Sequence, residues 1–280
     1  MLIPSSNNLR RVLAFVVGSL LLAGAAVSRG QQAAVPVSDT TVKYSICPIV
    51  YPNDETPGSK GIRYTFFGNA FFINRQGYLV TAAHVLQTFR DLGQPYILLD
   101  RPNAPPQTIK AAIIAIDWTH DVAVLRATPN PFEGKFRVAF LTLASARPTP
   151  GEPIVATALH PANIRTASTY KMPVEDFSRA QVLGFVQTRE EPNFPETDLF
   201  VFSHEVQKGQ SGSPVLLADS HQVVGLVDGR WLRSSSFSLP SDGGHAASYT
   251  GPVGAAVPVD YLLVLLQKNS VPLGVPIRAK

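Results

Sequence analysis

An all-β fold of two six-stranded antiparallel β-barrels with a C-terminal helix is what the sequence predicts, on three observations. Apolar runs are short and bounded by Gly, Pro, Asn or Asp. The 20 Gly and 24 Pro are spread along the chain, so turns punctuate it throughout, as a loop-rich β-protein requires and a helical bundle does not. No segment repeats at a fixed short period, which argues against a propeller or solenoid.

The elements follow in order. Arg10-Arg11 precede an apolar run, Val12–Val27, that ends in small residues, and residues 1–30 read as a secretory signal peptide. An uncleaved membrane anchor is the alternative for the same segment, and the paired arginines also suit twin-arginine export. A flexible leader covers residues 31–42. The main domain spans residues 43–268, beginning with a strand over Tyr44–Val50. That strand carries Cys47, the sole cysteine, so no intrachain disulfide forms, and its apolar setting marks a buried, inert thiol.

Ala70–Ile73, Tyr78–Ala82, Tyr96–Leu99, Ala111–Ile116 and Val122–Leu125 supply the other strands of a first barrel, about 43–130. Thr128–Gly151, with four prolines, links it to a second barrel of about 138–258. There the strands are Pro153–Leu159, Gln181–Gln187, Leu199–Phe202, Pro214–Leu217 and Val223–Val227. Pro161–Asp176 and Arg230–Tyr249 lack periodicity and read as long surface loops. A helix over 260–268 has Asp260 as its cap and Leu262, Leu265 and Leu266 on one face, and residues 269–280 form a tail.

An apolar content of 45% supports a sizeable core and excludes disorder as the main state. The formal charge of +4 is small for 280 residues, and no Lys/Arg stripe interleaves with aromatics. Nucleic acid is therefore not an expected partner.

Acyl transfer by a serine needs a base beside the hydroxyl, an acid that orients the base, and amide donors for the oxyanion. Three motifs supply these parts. Thr81-Ala82-Ala83-His84-Val85 follows an apolar strand, and its small alanines let the His84 imidazole sit against the backbone as the base. His120-Asp121-Val122-Ala123-Val124-Leu125 puts an acid at the head of an apolar strand that carries it inward. Asp100, Asp117 and Asp228 are rival acids, but none heads a comparable run. Gly209-Gln210-Ser211-Gly212-Ser213-Pro214 is a tight turn that exposes the Ser211 hydroxyl and lets the amides of Gly209 and Ser211 converge on one oxygen. The base precedes the acid by 37 residues and the acid precedes the nucleophile by 90, so two parts fall in the first half and one in the second. That order is not the Ser, acid, His order of α/β-hydrolases.

Over Tyr64 to Gln267 the sequence resembles the trypsin/chymotrypsin superfamily, and within it the bacterial branch of HtrA/Deg and V8-type serine peptidases. The likeness rests on the three motifs together with Gly68-Asn69-Ala70-Phe71, Val224-Gly225-Leu226 and Ala256-Val257-Pro258-Val259. It implies a serine endopeptidase with catalytic His84, Asp121 and Ser211, an oxyanion hole at Gly209 and Ser211, and no metal or organic cofactor. It also implies that Gly225, Leu226, Val227 and Asp228 meet the substrate backbone. Glu205, six residues before Ser211, would then sit at the base of the primary pocket and favour Arg or Lys.

Gln210 stands where animal trypsins place the Asp that receives a freshly cut N-terminus, so activation by that ion pair is not expected. No PDZ domain is expected after the final helix, and a monomer is favoured over an HtrA-like cage. Polypeptides are the expected partners, in a secreted or periplasmic setting, with membrane contact only if the first segment is retained. A non-catalytic binding module on the same scaffold is the alternative function.

Overall fold

The computed structural model describes residues 39–53, 63–160, 174–188, 195–228, 237–239, 247–249 and 251–275. The signal segment, most of the leader, Gly229, Trp231, His245 and the end of the tail lie outside these residues. A short helix α1 (Asp39–Ser45) opens the described chain and six strands follow. They are β1 (Ile46–Asn53), β2 (Arg63–Phe72), β3 (Tyr78–Thr81), β4 (Tyr96–Arg101), β5 (Ala104–Asp117) and β6 (Val122–Thr128). They close into one barrel in the order β1-β2-β3-β6-β5-β4.

The second barrel holds β7 (Pro153–His160), β8 (Val174–Thr188), β9 (Thr197–Phe202), β10 (Pro214–Leu217), β11 (Val223–Val227) and β14 (Gly254–Pro258). It closes in the order β10-β11-β14-β9-β8-β7. A two-stranded sheet pairs β12 (Phe237–Leu239) with β13 (Ala247–Tyr249). A one-turn helix α2 (Phe89–Leu92) lies between β3 and β4, and helix α3 (Val259–Lys268) follows β14. The two six-stranded barrels and the C-terminal helix are those the sequence predicts.

Successive strand side chains face opposite sides, and strands such as β6, β11 and β14 are buried along most or all of their length, so apolar side chains fill the barrels and also cover much of their outer faces. Phe71, Leu79, Ile97, Val124 and Leu125 are 0% exposed in the first core, as are Ile154, Phe200, Phe202 and Val215 in the second. Burying each such side chain contributes about 1.5–3 kcal/mol. Cys47 lies in the first core, where burial pushes its thiol far above the usual cysteine range and keeps it protonated and inert.

Four local expectations are corrected. Tyr44 and Ser45 are helical rather than strand, and the leader ends in helix rather than extending to 42. The buried Val42 and the Ser45 hydroxyl, which donates to the Thr41 carbonyl at 2.7 Å, hold that turn, and β-branched residues give no sequence signal for it. Asp260 does not cap α3. Pro258, in extended backbone, occupies the cap position, and Asp260 in the first turn accepts from Arg147 Nε at 2.9 Å. The expected surface loops contain strands, with Val174–Asp176 on β8 and two three-residue strands near residues 237 and 249. Runs of three residues are too short to show a period.

The linker is not a loose tether. The amides of Ala139, Leu141 and Ala144 donate to the carbonyls of Tyr44, Phe72 and Val223, so it is stitched to both barrels. From Arg147, near its end, the guanidinium reaches Asp198 on β9 at 2.6 Å as well as Asp260. The hydrogen bond to Asp260 is the main cause that holds the guanidinium above its ordinary range.

Candidate active site

Strand register decides which side chains meet. In the first barrel β3 pairs antiparallel with β6, with Thr81 opposite Ala123. The chain leaving β3 toward His84 and the chain entering β6 from Asp121 therefore share one rim. In the second barrel Pro214 on β10 stands opposite Leu226 on β11, which brings the turn before Pro214 and residue 228 to one rim as well.

At the first rim Asp121 is 2% exposed and adopts a left-handed φ of 54°, a conformation short polar residues tolerate better than most. The turn before it is shaped by Asp117, whose Oδ1 accepts from the amides of Thr119 and His120 and whose Oδ2 lies 2.7 Å from His120 Nδ1. Asp121 Oδ2 lies 2.7 Å from His84 Nδ1, and its Oδ1 accepts from the His84 amide at 2.8 Å. The Ala83 amide donates to the Asp121 carbonyl at 3.2 Å. One carboxylate thus fixes both the ring and the backbone of His84, through bonds that are about twice as strong as neutral ones. The His84 side chain is 37% exposed, so it is not sealed into the core with Asp121. Two of the three rival acids are occupied elsewhere: Asp117 holds its own turn, and Asp100 lies 3.5 Å from Arg137.

At the second rim Gly209 and Gly212 have φ of 99° and 80°, so both bends of the Ser211 turn use backbone that favours glycine. Among the described residues, neither the Gly209 nor the Ser211 amide has a protein acceptor. The Ser211 hydroxyl donates to the Asp228 carbonyl at 3.5 Å, the outer limit of a hydrogen bond.

Close packing joins the rims. A Cβ on Gly212 would fall 2.2 Å from the Asn69 carbonyl oxygen and 2.5 Å from Thr81 Oγ1, against the end of the strand that carries His84. A Cβ on Gly68 would meet both Val85, the neighbour of His84, at 2.7 Å and the Ser211 carbonyl oxygen at 2.9 Å.

Asp228, 1% exposed, brings a second carboxyl to this place. Among the described residues, one donor atom each from His84, Asp121 and Asp228 lie within 4.8 Å of one another. The sequence reading had placed Asp228 only as a rival acid and a substrate contact.

The structure corrects the other substrate-contact assignments. Gly225, Leu226 and Val227 lie inside β11, which pairs with β10 on one edge and β14 on the other. Both edges are filled, so these residues cannot pair with an extended substrate. Asp228, just beyond the strand, is the first residue at the rim. Glu205 is exposed, while its neighbours His204 and Val206, with Thr157, Ala158 and Gln210, line a shallow recess beside the turn. The acidic pocket floor is therefore not where Glu205 points.

Two further residues of the site went unassigned in the sequence. Gln210 is 3% exposed, and its Oε1 accepts from the Gln207 amide at 2.8 Å, closing the loop before the turn. Asn69, 0% exposed, donates to three oxygens around the turn. A polar residue inside Phe66-Phe67-Gly68-Asn69-Ala70-Phe71-Phe72 was the available signal.

Among solved structures, Deg5 is similar at 16% identity and a TM-score of 0.53, over 80% of this chain and 88% of that one. The Rv3671c protease from M. tuberculosis in its active form is similar at 16% identity and a TM-score of 0.52, over 86% and 91%. The HtrA-type protease AlgW with a decapeptide is similar at 14% identity and a TM-score of 0.55, over 84% and 68%. At these identities the likeness is one of fold, the two-barrel fold of chymotrypsin-like peptidases. No curated protein matches the sequence. The model of the trypsin-like peptidase domain matches residues 68–226, more than half of the chain, and the protein belongs to that family.

Proposed function

We propose that the protein is an exported serine endopeptidase that hydrolyses polypeptides through His84, Asp121 and Ser211. The observation that carries this reading is the buried Asp121 carboxylate 2.7 Å from His84 Nδ1, on the rim against which the Ser211 turn packs. With Nδ1 committed to Asp121, the other ring nitrogen is the one left to take the Ser211 proton. The 3.5 Å contact of the hydroxyl with the Asp228 carbonyl is weak enough to give up for that bond.

Ser211 Oγ attacks the scissile carbonyl, its proton passes to His84, and the amides of Gly209 and Ser211 receive the oxyanion. His84 then protonates the leaving amine, and water releases the acyl group by the same steps reversed. Asp121 stabilises the imidazolium in both halves. No metal or organic cofactor takes part. Arg10-Arg11 and the apolar Val12–Val27 run support export.

The Ser211→Ala enzyme should keep its melting temperature and lose turnover by ~10⁶, the loss seen when a comparable nucleophile is removed. Mass spectrometry after a fluorophosphonate probe should find the label on Ser211 alone. Undiminished proteolysis by a pure Ser211→Ala sample would overturn the assignment, and a folded wild type that stays unlabelled and inert would favour a binding module instead.

A further inference from the structure

Asn69 sits on β2 of the first barrel, yet most of its polar contacts reach the nucleophile turn of the second. Its amide N–H donates to the Ser211 carbonyl at 2.8 Å. Its Nδ2 lies 2.9 Å from Ser213 Oγ, 3.1 Å from the Gly209 carbonyl oxygen and 3.3 Å from the Leu159 carbonyl oxygen. Its own carbonyl accepts from Thr81 Oγ1 at 2.7 Å, on the segment leading to His84. Among the described residues, its buried Oδ1 has no hydrogen-bond partner.

The backbone contact with Ser211 is open to any residue at position 69. The side chain adds a hold on either side of the nucleophile, at Gly209 and Ser213. The Gly209 carbonyl and the Gln210 amide belong to one peptide plane. With the carbonyl turned to Asn69 Nδ2 and the amide donating to the Gln207 carbonyl at 3.1 Å, that plane is fixed at both ends. Gly209 at φ 99° is otherwise a pivot, since glycine moves between backbone wells at little cost. Fixing the plane after it anchors the C-terminal side of Gly209, whose own N–H is one of the two proposed oxyanion donors. The orphaned Oδ1 fits this role: an uncompensated buried acceptor is a cost that cores avoid, and here it accompanies an amide group turned fully toward the loop.

We propose that Asn69 is a positioning residue that locks the oxyanion loop from the opposite barrel, so that the loop is competent without an activating ion pair. This rests on the peptidase reading above. Asn69→Asp keeps the shape but presents oxygen to the Gly209 and Leu159 carbonyls, and Asn69→Ala removes the side-chain donors while keeping the backbone bond to Ser211.

With a fluorogenic peptide that the wild type cleaves, Asn69→Asp should lower kcat ~100-fold, the scale of a lost oxyanion donor, with KM within about threefold. Asn69→Ala should lie between it and the wild type. Affinity for a peptide aldehyde, which forms an oxyanion in the site, should weaken by the same factor as kcat/KM, while product-peptide affinity holds. A folded variant of either kind with kcat and aldehyde affinity within about twofold of wild type overturns the proposal. Failure of both variants to fold assigns Asn69 to joining the barrels and overturns it as well. A wild type that neither cleaves peptides nor reacts with a fluorophosphonate is a distinct result, which removes the peptidase reading and this inference with it.

Discussion

The two halves of the site are immobilised by different means. In the first barrel the functional side chains hold one another: Asp121 grips His84 through ring and backbone at 2.7 and 2.8 Å, and the two residues stand at one rim, after β3 and before β6. In the second barrel the Ser211 side chain is held by little more than a 3.5 Å contact, and its turn is fixed through backbone carbonyls and close glycine packing. The difference follows from what each half must do. A base needs its tautomer and orientation fixed, which a buried carboxylate does directly. An attacking hydroxyl must stay uncommitted, so rigidity has to come from the backbone around it.

The largest break in this comparison is expected on the side-chain half. Asp121→Asn keeps an oxygen for the His84 amide but can place an NH₂ against Nδ1, which favours the wrong ring tautomer. Turnover at neutral pH should fall ~10⁴-fold, as in comparable triads, with the fold intact by circular dichroism. A loss below about tenfold would show that Asp228 shares the orienting role, since its carboxyl is close enough to both dyad members.

The backbone half should fail through packing. Gly212 and Gly93 have similar φ, 80° and 84°, but only Gly212 has close neighbours. Gly93→Ala should cost the backbone strain alone, about 1–3 kcal/mol. Gly212→Ala meets the Asn69 carbonyl oxygen at 2.2 Å as well and should cost ~3 kcal/mol more, with activity lost. Urea unfolding of the two variants side by side measures the difference. Equal losses would show that the contact between rims yields easily.

What was legible in the sequence divides along the same line. The barrels were readable because their strands are short apolar runs bounded by Gly, Pro, Asn or Asp, and β10 and β11 lie where the runs Pro214–Leu217 and Val223–Val227 placed them. His84 and Ser211 were readable because their chemistry requires small or glycine neighbours in the adjacent sequence, and Asp121 because it heads an apolar strand. Asn69 and Gln210 act on carbonyls and amides that register and loop folding bring near, and a single chain read alone carries no sign of those partners. The placement of the substrate edge on Gly225–Val227 failed for a related reason. A β-strand looks the same whether its edge is open or filled, and only the sheet order shows that β10 and β14 occupy both sides.

The smallest effect is expected at Glu205, and it sharpens the comparison by marking where the nucleophile half ends. Position alone, six residues before Ser211, suggested an acidic pocket floor. His204 and Val206 line the recess, whereas Glu205 is exposed to solvent. An exposed carboxylate is screened by water and contributes little to binding a cation. Glu205→Ala should therefore shift stability by less than about 0.5 kcal/mol and leave the residue preferred before the cleaved bond unchanged in a peptide-library profile. An Arg or Lys preference in the wild type that vanishes in the variant would mean that the loop turns Glu205 inward when substrate binds, and that this part of the nucleophile half is not held in advance.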